Sequence, residues 1–304
     1  MGRKKASRPK VDIHRSKRKS WVDRYKWVLA AAVILVGVVY WHGHYWIGAE
    51  PGSGNKPKFT TRKKTEKTRA FVSSPRITET IPHDPTCYTQ GLIFHDGLLY
   101  ETCGMYGESR IQVIDPKTGE IKSKQNLPSN VFAEGVEVVG NRLHVLTWRE
   151  RQLLVYDVNT LEYVETYSFQ TTTGEGWGIS SNGSLLVVTD GSSNLHFWDA
   201  KTLKPLSKIS VKDQNGKDIN YLNEIEFVND YELLANVYFQ ELIVRIDIRT
   251  GKPLGWYHYQ GVLARHGDPS GDPEVMNGIA FDDNTQELYF SGKRWKTMFK
   301  TKLS

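Results

Sequence analysis

From Gly91 to Leu303 the chain alternates apolar and polar residues in short runs, and the runs recur. Four of them lead into an Asp and then a Thr-containing turn. They are Ile111-Gln-Val-Ile-Asp115-Pro-Lys-Thr, Leu153-Leu-Val-Tyr-Asp157-Val-Asn-Thr, Leu195-His-Phe-Trp-Asp199-Ala-Lys-Thr and Ile243-Val-Arg-Ile-Asp247-Ile-Arg-Thr, with the aspartates 42, 42 and 48 residues apart. A second pattern, a short apolar run after a small or polar residue, occurs five times: Gly91-Leu-Ile-Phe, Gly135-Val-Glu-Val, Gly178-Ile-Ser, Glu224-Ile-Glu-Phe and Gly278-Ile-Ala-Phe. Period-two alternation reads as half-buried strands, and hairpin signals such as Asn182-Gly183 and Asp96-Gly97 separate them. A repeat in the forties built of short strands is the pattern of a β-propeller, in which each four-strand blade buries its faces only against its neighbours. Five repeats predict an all-β, five-bladed propeller over residues 71–304. The fifth repeat ends one strand short, so Ile77–Ile81 is expected to supply the missing outer strand and close the ring.

The N-terminal part has a different pattern. Trp27 to Ala49 contains no Asp, Glu, Lys or Arg, and Trp27, Tyr40, Trp41, Tyr45 and Trp46 flank its apolar core. About 20 apolar residues span a bilayer as a helix, and Trp and Tyr favour its interfaces. Residues 27–47 therefore read as a single transmembrane signal anchor. A cleaved secretory signal is the alternative, disfavoured by the 26-residue basic segment before it and by the length of the apolar run. Residues 1–26 read as a basic cytosolic tail, and 48–70, polar and Gly/Pro-containing, as a flexible basic stalk. Either reading puts the propeller in a secretory-pathway lumen or outside the cell, as in a single-pass type II membrane protein.

Charge sharpens this division. The chain carries a formal net charge of +6, but residues 1–70 hold 18 Lys/Arg against 4 Asp/Glu, while residues 71–304 hold 22 against 30. An acidic body repels phosphate, which argues against nucleic acid as a partner. The two cysteines exclude a four-cysteine zinc site. Cys87 and Cys103 fall on neighbouring strands. An oxidising lumen permits a disulfide between them, and two buried thiols are the plainer account. Asn182-Gly-Ser184 is a glycosylation sequon on an expected hairpin turn. Arg265–Glu274 is a polar insertion, read as a solvated loop rather than a gate or a calcium site. The four repeated aspartates read as turn acceptors rather than a catalytic set.

The repeat register also places the candidate chemistry. Gln90, Glu134, Trp177, Asn223 and Asn277 stand just before the five inner strands, at one mouth of the channel. The ends of the second strands add Glu101, Trp148, Asp190, Tyr238 and Lys293, and Tyr88 and Phe132 lie two residues before Gln90 and Glu134. One carboxylate, one ammonium, several amides and an aromatic wall suit a small polar ligand with apolar edges. A water-filled channel lined by core aromatics is the plainer account of the same residues.

Nine stretches in order then carry a resemblance. They are Pro82-His-Asp-Pro-Thr-Cys-Tyr-Thr-Gln-Gly-Leu92, Glu101-Thr-Cys-Gly-Met-Tyr-Gly107, Phe132-Ala-Glu-Gly135, Leu146-Thr-Trp148, Glu175-Gly-Trp-Gly178, Leu222-Asn-Glu-Ile-Glu226, Ala235-Asn-Val-Tyr238, Asn277-Gly-Ile-Ala280 and Ser291-Gly-Lys-Arg-Trp295. Together they resemble the plant-type glutaminyl-peptide cyclotransferases, which also occur in bacteria, from about Ile81 to Trp295. The resemblance implies an enzyme that converts N-terminal glutamine of peptides or proteins to pyroglutamate and releases ammonia, with no required cofactor and no catalytic zinc. Whether a divalent cation supports the fold stays open. Carried over by position, the family pocket falls on Tyr88, Gln90, Phe132, Glu134, Trp148, Trp177, Asn223, Tyr238 and Lys293. Glu134 is expected to be the proton shuttle, with Lys293 and Asn223 as the other catalytic groups. Tyr88 stands where the family usually has Phe, Tyr238 where it has Trp, and Ala133 where it has Gly. Two other readings compete: a non-catalytic peptide-binding propeller, and a metal-centred propeller hydrolase of lactones or phosphoesters. The second would place several carboxylates at the channel mouth, where the inner-strand starts offer one.

Overall fold

The computed structural model describes residues 71–265 and 275–303. The basic tail, the apolar span 27–47, the stalk and residues 266–274 of the polar insertion lie outside the described residues. What is described is a ring of five antiparallel sheets. The first blade is β3 (Thr89–His95), β4 (Leu98–Cys103), β5 (Arg110–Ile114) and β6 (Ile121–Asn126), and the second is β7 (Ala133–Val139), β8 (Arg142–Thr147), β9 (Gln152–Asp157) and β10 (Tyr163–Ser168). The third is β11 (Ile179–Ser181), β12 (Leu185–Val188), β13 (Asn194–Asp199) and β14 (Pro205–Ser210). The fourth is β15 (Leu222–Phe227), β16 (Glu232–Val237), β17 (Leu242–Asp247) and β18 (Lys252–His258), and the fifth contributes β19 (Met276–Asp282), β20 (Glu287–Gly292) and β21 (Thr297–Lys302).

Burial follows the order of strands. Inner strands such as β15 and β19 are buried throughout, while the outer strands β6 and β10 are exposed throughout. Apolar clusters lie between blades, as where Ile93, Tyr100 and Val113 of the first meet Val136, Leu143 and Leu154 of the second. The repeated aspartates are turn acceptors: Asp115 takes the backbone N–H of Lys117 at 2.8 Å, and Asp199 that of Thr202 at 2.7 Å.

The expected closing strand is present. β2 (Ile77–Pro82) lies antiparallel on β21, with Ile81 opposite Met298, and completes the fifth blade. The chain just before it adds a contact the pattern did not foretell. β1 (Phe71–Ser73) runs parallel to β18, with Val72 opposite Trp256, as a fifth strand on the fourth blade.

Three buried glutamates tie the inner strands to one another. Glu224 accepts the backbone N–H groups of Leu92 (3.4 Å) and Ile279 (2.7 Å), which lie on the first and fifth blades. Glu226 accepts from the Phe281 N–H and the Ser180 hydroxyl, and Glu137 from the N–H groups of Val138 and Ser181. Burial holds all three carboxyls above the usual range, Glu137 at about 8. Each staples one inner strand to another without presenting a free oxygen pair.

Candidate active site

The site begins with a repeated irregularity of the inner strands. The pairing register shifts at Thr89/Gly91, Ala133/Val136, Leu222/Ile225 and Met276/Ile279. These are β-bulges, and an extra residue at a bulge re-aims its side chain. Gln90, Glu134, Asn223 and Asn277 sit at these bulges, inside their strands rather than before them as the pattern predicted. Trp177 alone precedes its strand, with its N–H bonded to the Thr189 carbonyl at 3.0 Å. Hydroxyls of adjacent blades pin the bulges. Thr102 donates to the Glu134 carbonyl at 2.5 Å, and Thr189 to that of Asn223 at 2.6 Å.

Gln90 connects the two charged groups. Its amide nitrogen donates to Glu134 Oε1 at 3.0 Å, and its amide oxygen accepts from Lys293 Nζ. All three side chains are buried. The Lys293 ammonium lies over the Tyr88 ring at 4.4 Å and near the Tyr238 ring at 5.2 Å, a cation–π setting that holds a buried charge. Burial pushes the Glu134 carboxyl well above the usual carboxylate range. Lys293 pulls it back down, and the charges of Glu175 and Glu150 push it further up.

The aromatic wall has two parts. Tyr88 meets Phe132 edge-on at 6.4 Å, Phe132 meets Trp148 at 5.3 Å, and Trp177 meets Tyr238 at 5.6 Å. Tyr106, not among the expected site residues, extends the wall by packing edge-on against Phe132 at 5.4 Å, and its hydroxyl donates to Glu150 Oε1 at 2.7 Å. Two glycines make room. A Cβ on Gly104 would lie 2.5 Å from the Phe132 ring and 2.8 Å from Gln90 Cγ, and one on Gly191 would lie 2.5 Å from the Trp177 ring.

Sequence reasoning missed the role of Glu175. One of its oxygens accepts both indole N–H groups, Trp148 at 2.9 Å and Trp177 at 3.0 Å. Its other oxygen accepts Arg149 Nε at 3.0 Å, and the guanidinium lies 3.8 Å above the Trp148 ring. Its place two residues before Trp177, the register of Tyr88 and Phe132, was the signal available.

Other channel positions are spent on structure. Glu101 binds His83 Nε2 at 2.8 Å, the Thr89 hydroxyl at 2.7 Å and the Gln112 amide at 2.7 Å. Asp190 binds His196, Ser192 and the Thr173 N–H, and its carboxyl stands at about 2, the bonds outweighing its burial. Asn277 donates to the carbonyls of Thr89 and Gln90 at 3.2 and 3.0 Å. Asn223 is buried, and its amide oxygen accepts no hydrogen bond among the described residues.

Cys87 and Cys103 form a disulfide, which corrects the expectation of two buried thiols. Cys87 lies not on β3 but in the turn leading into it, where its N–H bonds the Asp84 carbonyl at 3.0 Å, and the bend brings its Cα to 5.0 Å from that of Cys103. The bridge steadies the segment bearing Tyr88, which also accepts the Gly104 N–H at 2.8 Å. His83, Cys87 and Glu101 converge with donor atoms within 4.8 Å, but the Cys87 sulfur is in the disulfide and Glu101 is satisfied by its neighbours, so the trio does not fit a metal ion.

The chain is similar in sequence and fold to known proteins. A glutamine cyclotransferase family model matches residues 55–303. A glutaminyl-peptide cyclotransferase of Arabidopsis thaliana is 33% identical over 235 residues, 76% of this chain and 72% of that protein. The crystal structure of Myxococcus xanthus glutaminyl cyclase superposes with a TM-score of 0.70 at 26% identity, over 78% of this chain and 99% of that one. With a sequence match over most of its length and the same ring of blades, the chain belongs to the glutamine cyclotransferase family.

Proposed function

We propose that this protein closes the N-terminal glutamine of peptides and proteins to pyroglutamate, with Glu134 moving the proton. One observation carries this reading: a buried carboxylate held through Gln90 to a buried ammonium, beside an aromatic wall, in a member of this family. A non-catalytic peptide-binding propeller would have no need of that chain.

The substrate α-amine attacks its own γ-carboxamide carbon. The C–N bond of a five-membered ring forms, the bond to the amide nitrogen breaks, and ammonia leaves. A free α-amine has a pKa of about 7.7–8.0, so the nucleophile needs folding into place more than activation. The Trp148, Trp177, Phe132 and Tyr238 surfaces supply that confinement, which in well-oriented systems lowers a barrier by as much as about 7–11 kcal/mol. Amide ion does not leave unprotonated. Glu134 takes the proton from the attacking nitrogen and returns it to the departing one. A carboxyl with a raised pKa suits both halves of that task. Lys293 supplies positive charge for the carboxamide oxygen as it becomes negative. The unspent amide oxygen of Asn223 is an acceptor for the substrate's own N–H groups. No step needs a metal ion, and the rate is expected to survive EDTA.

Residues 27–47 anchor the chain, with the propeller facing an oxidising lumen or the exterior. The apolar run and the Cys87–Cys103 disulfide support this placement. Glycosylation at Asn182, on the turn before β12, fits the same compartment.

The test is turnover of a Gln-initiated peptide by the full chain, followed by ammonia release and a mass loss of about 17 Da, the ammonia given up on ring closure. Glu134→Gln is expected to lower kcat by at least about a hundredfold with the melting temperature retained, and a variant keeping more than about a tenth of kcat rules out the shuttle.

A further inference from the structure

The aromatic wall does not stop at Tyr238. Phe239 packs on the Tyr238 ring with centroids 4.0 Å apart, and Tyr221 meets Phe239 edge-on at 6.2 Å. Tyr221 stands two residues before Asn223, the register that Tyr88 and Phe132 hold before Gln90 and Glu134. It is therefore the fourth blade's counterpart of two wall residues. Unlike them it is turned outward: Tyr221 is 52% exposed, and Phe239, at 70%, is the most exposed large apolar side chain among the described residues.

Both aromatics also sit in backbone that large side chains avoid, with φ of 66° at Tyr221 and 67° at Phe239. Glycine or asparagine fits such positions at lower cost. The two turns are locked together by the Tyr238 N–H bond to the Tyr221 carbonyl at 2.9 Å. A hollow of about 500 Å³ opens beside Tyr221, with Val237, Leu242 and Trp256 among its apolar walls and Lys217, Asp218 and His258 among its polar ones, and Phe239 lines a separate hollow of about 580 Å³. Two large apolar faces are thus held out to water, against both backbone preference and burial, at the lip of the pocket.

We propose that Phe239 and Tyr221 form a ledge that binds the side chain of the residue following the substrate's glutamine and selects apolar, above all aromatic, residues there. The inference rests on the cyclase reading of the pocket and extends it from glutamine to the next residue. Continuity fixes the occupant. In the cyclase reading the glutamine head lies at Glu134 and Lys293, the Lys293 ammonium is 5.2 Å from the Tyr238 ring, and Phe239 packs on that ring with its centroid 4.0 Å away. One residue of extended chain advances about 3.3–3.6 Å, so the second residue is the one that leaves the wall and meets the ledge. At the other end of the wall Tyr106 is also half exposed, but its hydroxyl is tied to Glu150 and the Arg149 guanidinium covers the neighbouring Trp148 ring, so charged groups border that face.

The test compares Gln-Phe-Ala with Gln-Gly-Ala on the full chain. The wild-type protein is expected to favour Gln-Phe-Ala in kcat/KM. Phe239→Gly, which fits the positive φ and so keeps the turn, is expected to cut that preference about three- to tenfold, mainly through KM, the range that one aromatic pairing supports. Tyr221→Gly is expected to cut it less. A wild-type preference below twofold, or one that Phe239→Gly leaves intact, overturns the ledge. Calorimetric binding of both peptides to Glu134→Gln separates this result from the parent reading. Should no peptide be turned over, tighter binding of Gln-Phe-Ala that Phe239→Gly abolishes still establishes the ledge, and equal binding of the two peptides refutes it.

Discussion

Glu175 gives the most informative perturbation, because it acts on the site in two separable ways. One oxygen receives both the Trp148 and Trp177 indole N–H groups, at 2.9 and 3.0 Å, and so sets the angle of two wall faces. Its negative charge also raises the Glu134 carboxyl. In Glu175→Gln the shape is kept. If the amide oxygen faces the indoles, its NH₂ faces the Arg149 guanidinium, donor against donor. If it turns around, both indoles lose their acceptor. Hydrogen bonds to a charged acceptor are worth about 1.5–3 kcal/mol and to a neutral one about 0.5–1.5, so even the first orientation weakens both indole bonds, and the two together cost about ten- to hundredfold in kcat/KM. The Arg149 pair adds little, because its side chain is 61% exposed and solvent screens it. The pH profile supplies the second readout. A nearby negative charge disfavours the ionised form of Glu134, so removing it lets Glu134 ionise at lower pH, and the acid limb of kcat/KM moves down. Lys293→Met removes the opposing positive charge, and the limb of its residual activity moves up. The substrate amine titrates identically in all three proteins and cancels. Steady-state kinetics from pH 5 to 9, about the range over which a raised carboxyl and a free α-amine both titrate, decides the matter. A kcat/KM within threefold of wild type, or a limb that stays put or moves up in Glu175→Gln, refutes the assignment.

Three further outcomes are expected. Gly104→Ala drives a methyl into the Phe132 ring and the Gln90 stem, and should cut kcat at least about tenfold while costing about 1–3 kcal/mol of stability, read from kinetics and urea melts; full activity would show that the wall yields without cost. The buried His83–Glu101 pair should shape stability against pH. Burial, the largest influence on each group, opposes ionisation of both, and their mutual attraction and hydrogen bonds outweigh it, leaving His83 raised above 6.5 and Glu101 lowered below 4.5. The His83 contribution is complete below 6.5 and fades as pH rises through its folded value, while the Glu101 contribution is complete above 4.5 and fades as pH falls through its folded value. The Tm difference between wild type and His83→Gln should therefore be greatest between those limits, and a difference independent of pH would count against the pair. Deleting residues 71–82 removes both β1 and β2 and bares β21, so an unchanged melting temperature would show that the ring closes without them.

The ring and most of the pocket were legible because repetition is a property of sequence. Once the Asp-Thr turns set the period, the register of each blade follows, and with it the meeting of Gln90, Glu134 and Lys293 and of Trp177 with Tyr238. The missing outer strand of the fifth blade shows as a shortfall, and Ile77-Thr-Glu-Thr-Ile81, rich in β-branched residues, is the stretch that fills it. What escaped was whatever depends on the partner of a side chain. Glu101 and Asp190 share a register with Trp148 and Lys293, yet His83, Gln112, His196 and Thr173 consume them, and no spacing identifies those partners. The disulfide does not follow from the spacing, because the pattern puts Cys87 on a strand and it lies in the turn before one. The bulges were invisible because Gly91, Gly135 and Gly278 read equally well as ordinary strand starts.

Those bulges also explain how a five-fold backbone builds an asymmetric catalyst. The same kink recurs in four blades, but the residues at it are not alike: Gln90, the carboxylate Glu134, and Asn223 and Asn277, of which Asn277 is spent on the backbone of the first blade. The contrast among buried glutamates shows what singles out Glu134. Glu137, Glu224 and Glu226 each have both oxygens bonded to backbone or hydroxyl donors of the inner strands, so moving a proton there would loosen the ring. Glu134 takes one hydrogen bond among the described residues, from Gln90, a side chain that itself leans on Lys293. Protonating Glu134 therefore disturbs an adjustable pair of side chains and leaves the backbone alone. Among the described residues Glu101 is a fifth buried glutamate and is also held by side chains, but it takes three bonds, from His83, Thr89 and Gln112, where Glu134 takes one, and a carboxyl that must gain and lose a proton in every turnover has to be fastened as lightly as Glu134 is.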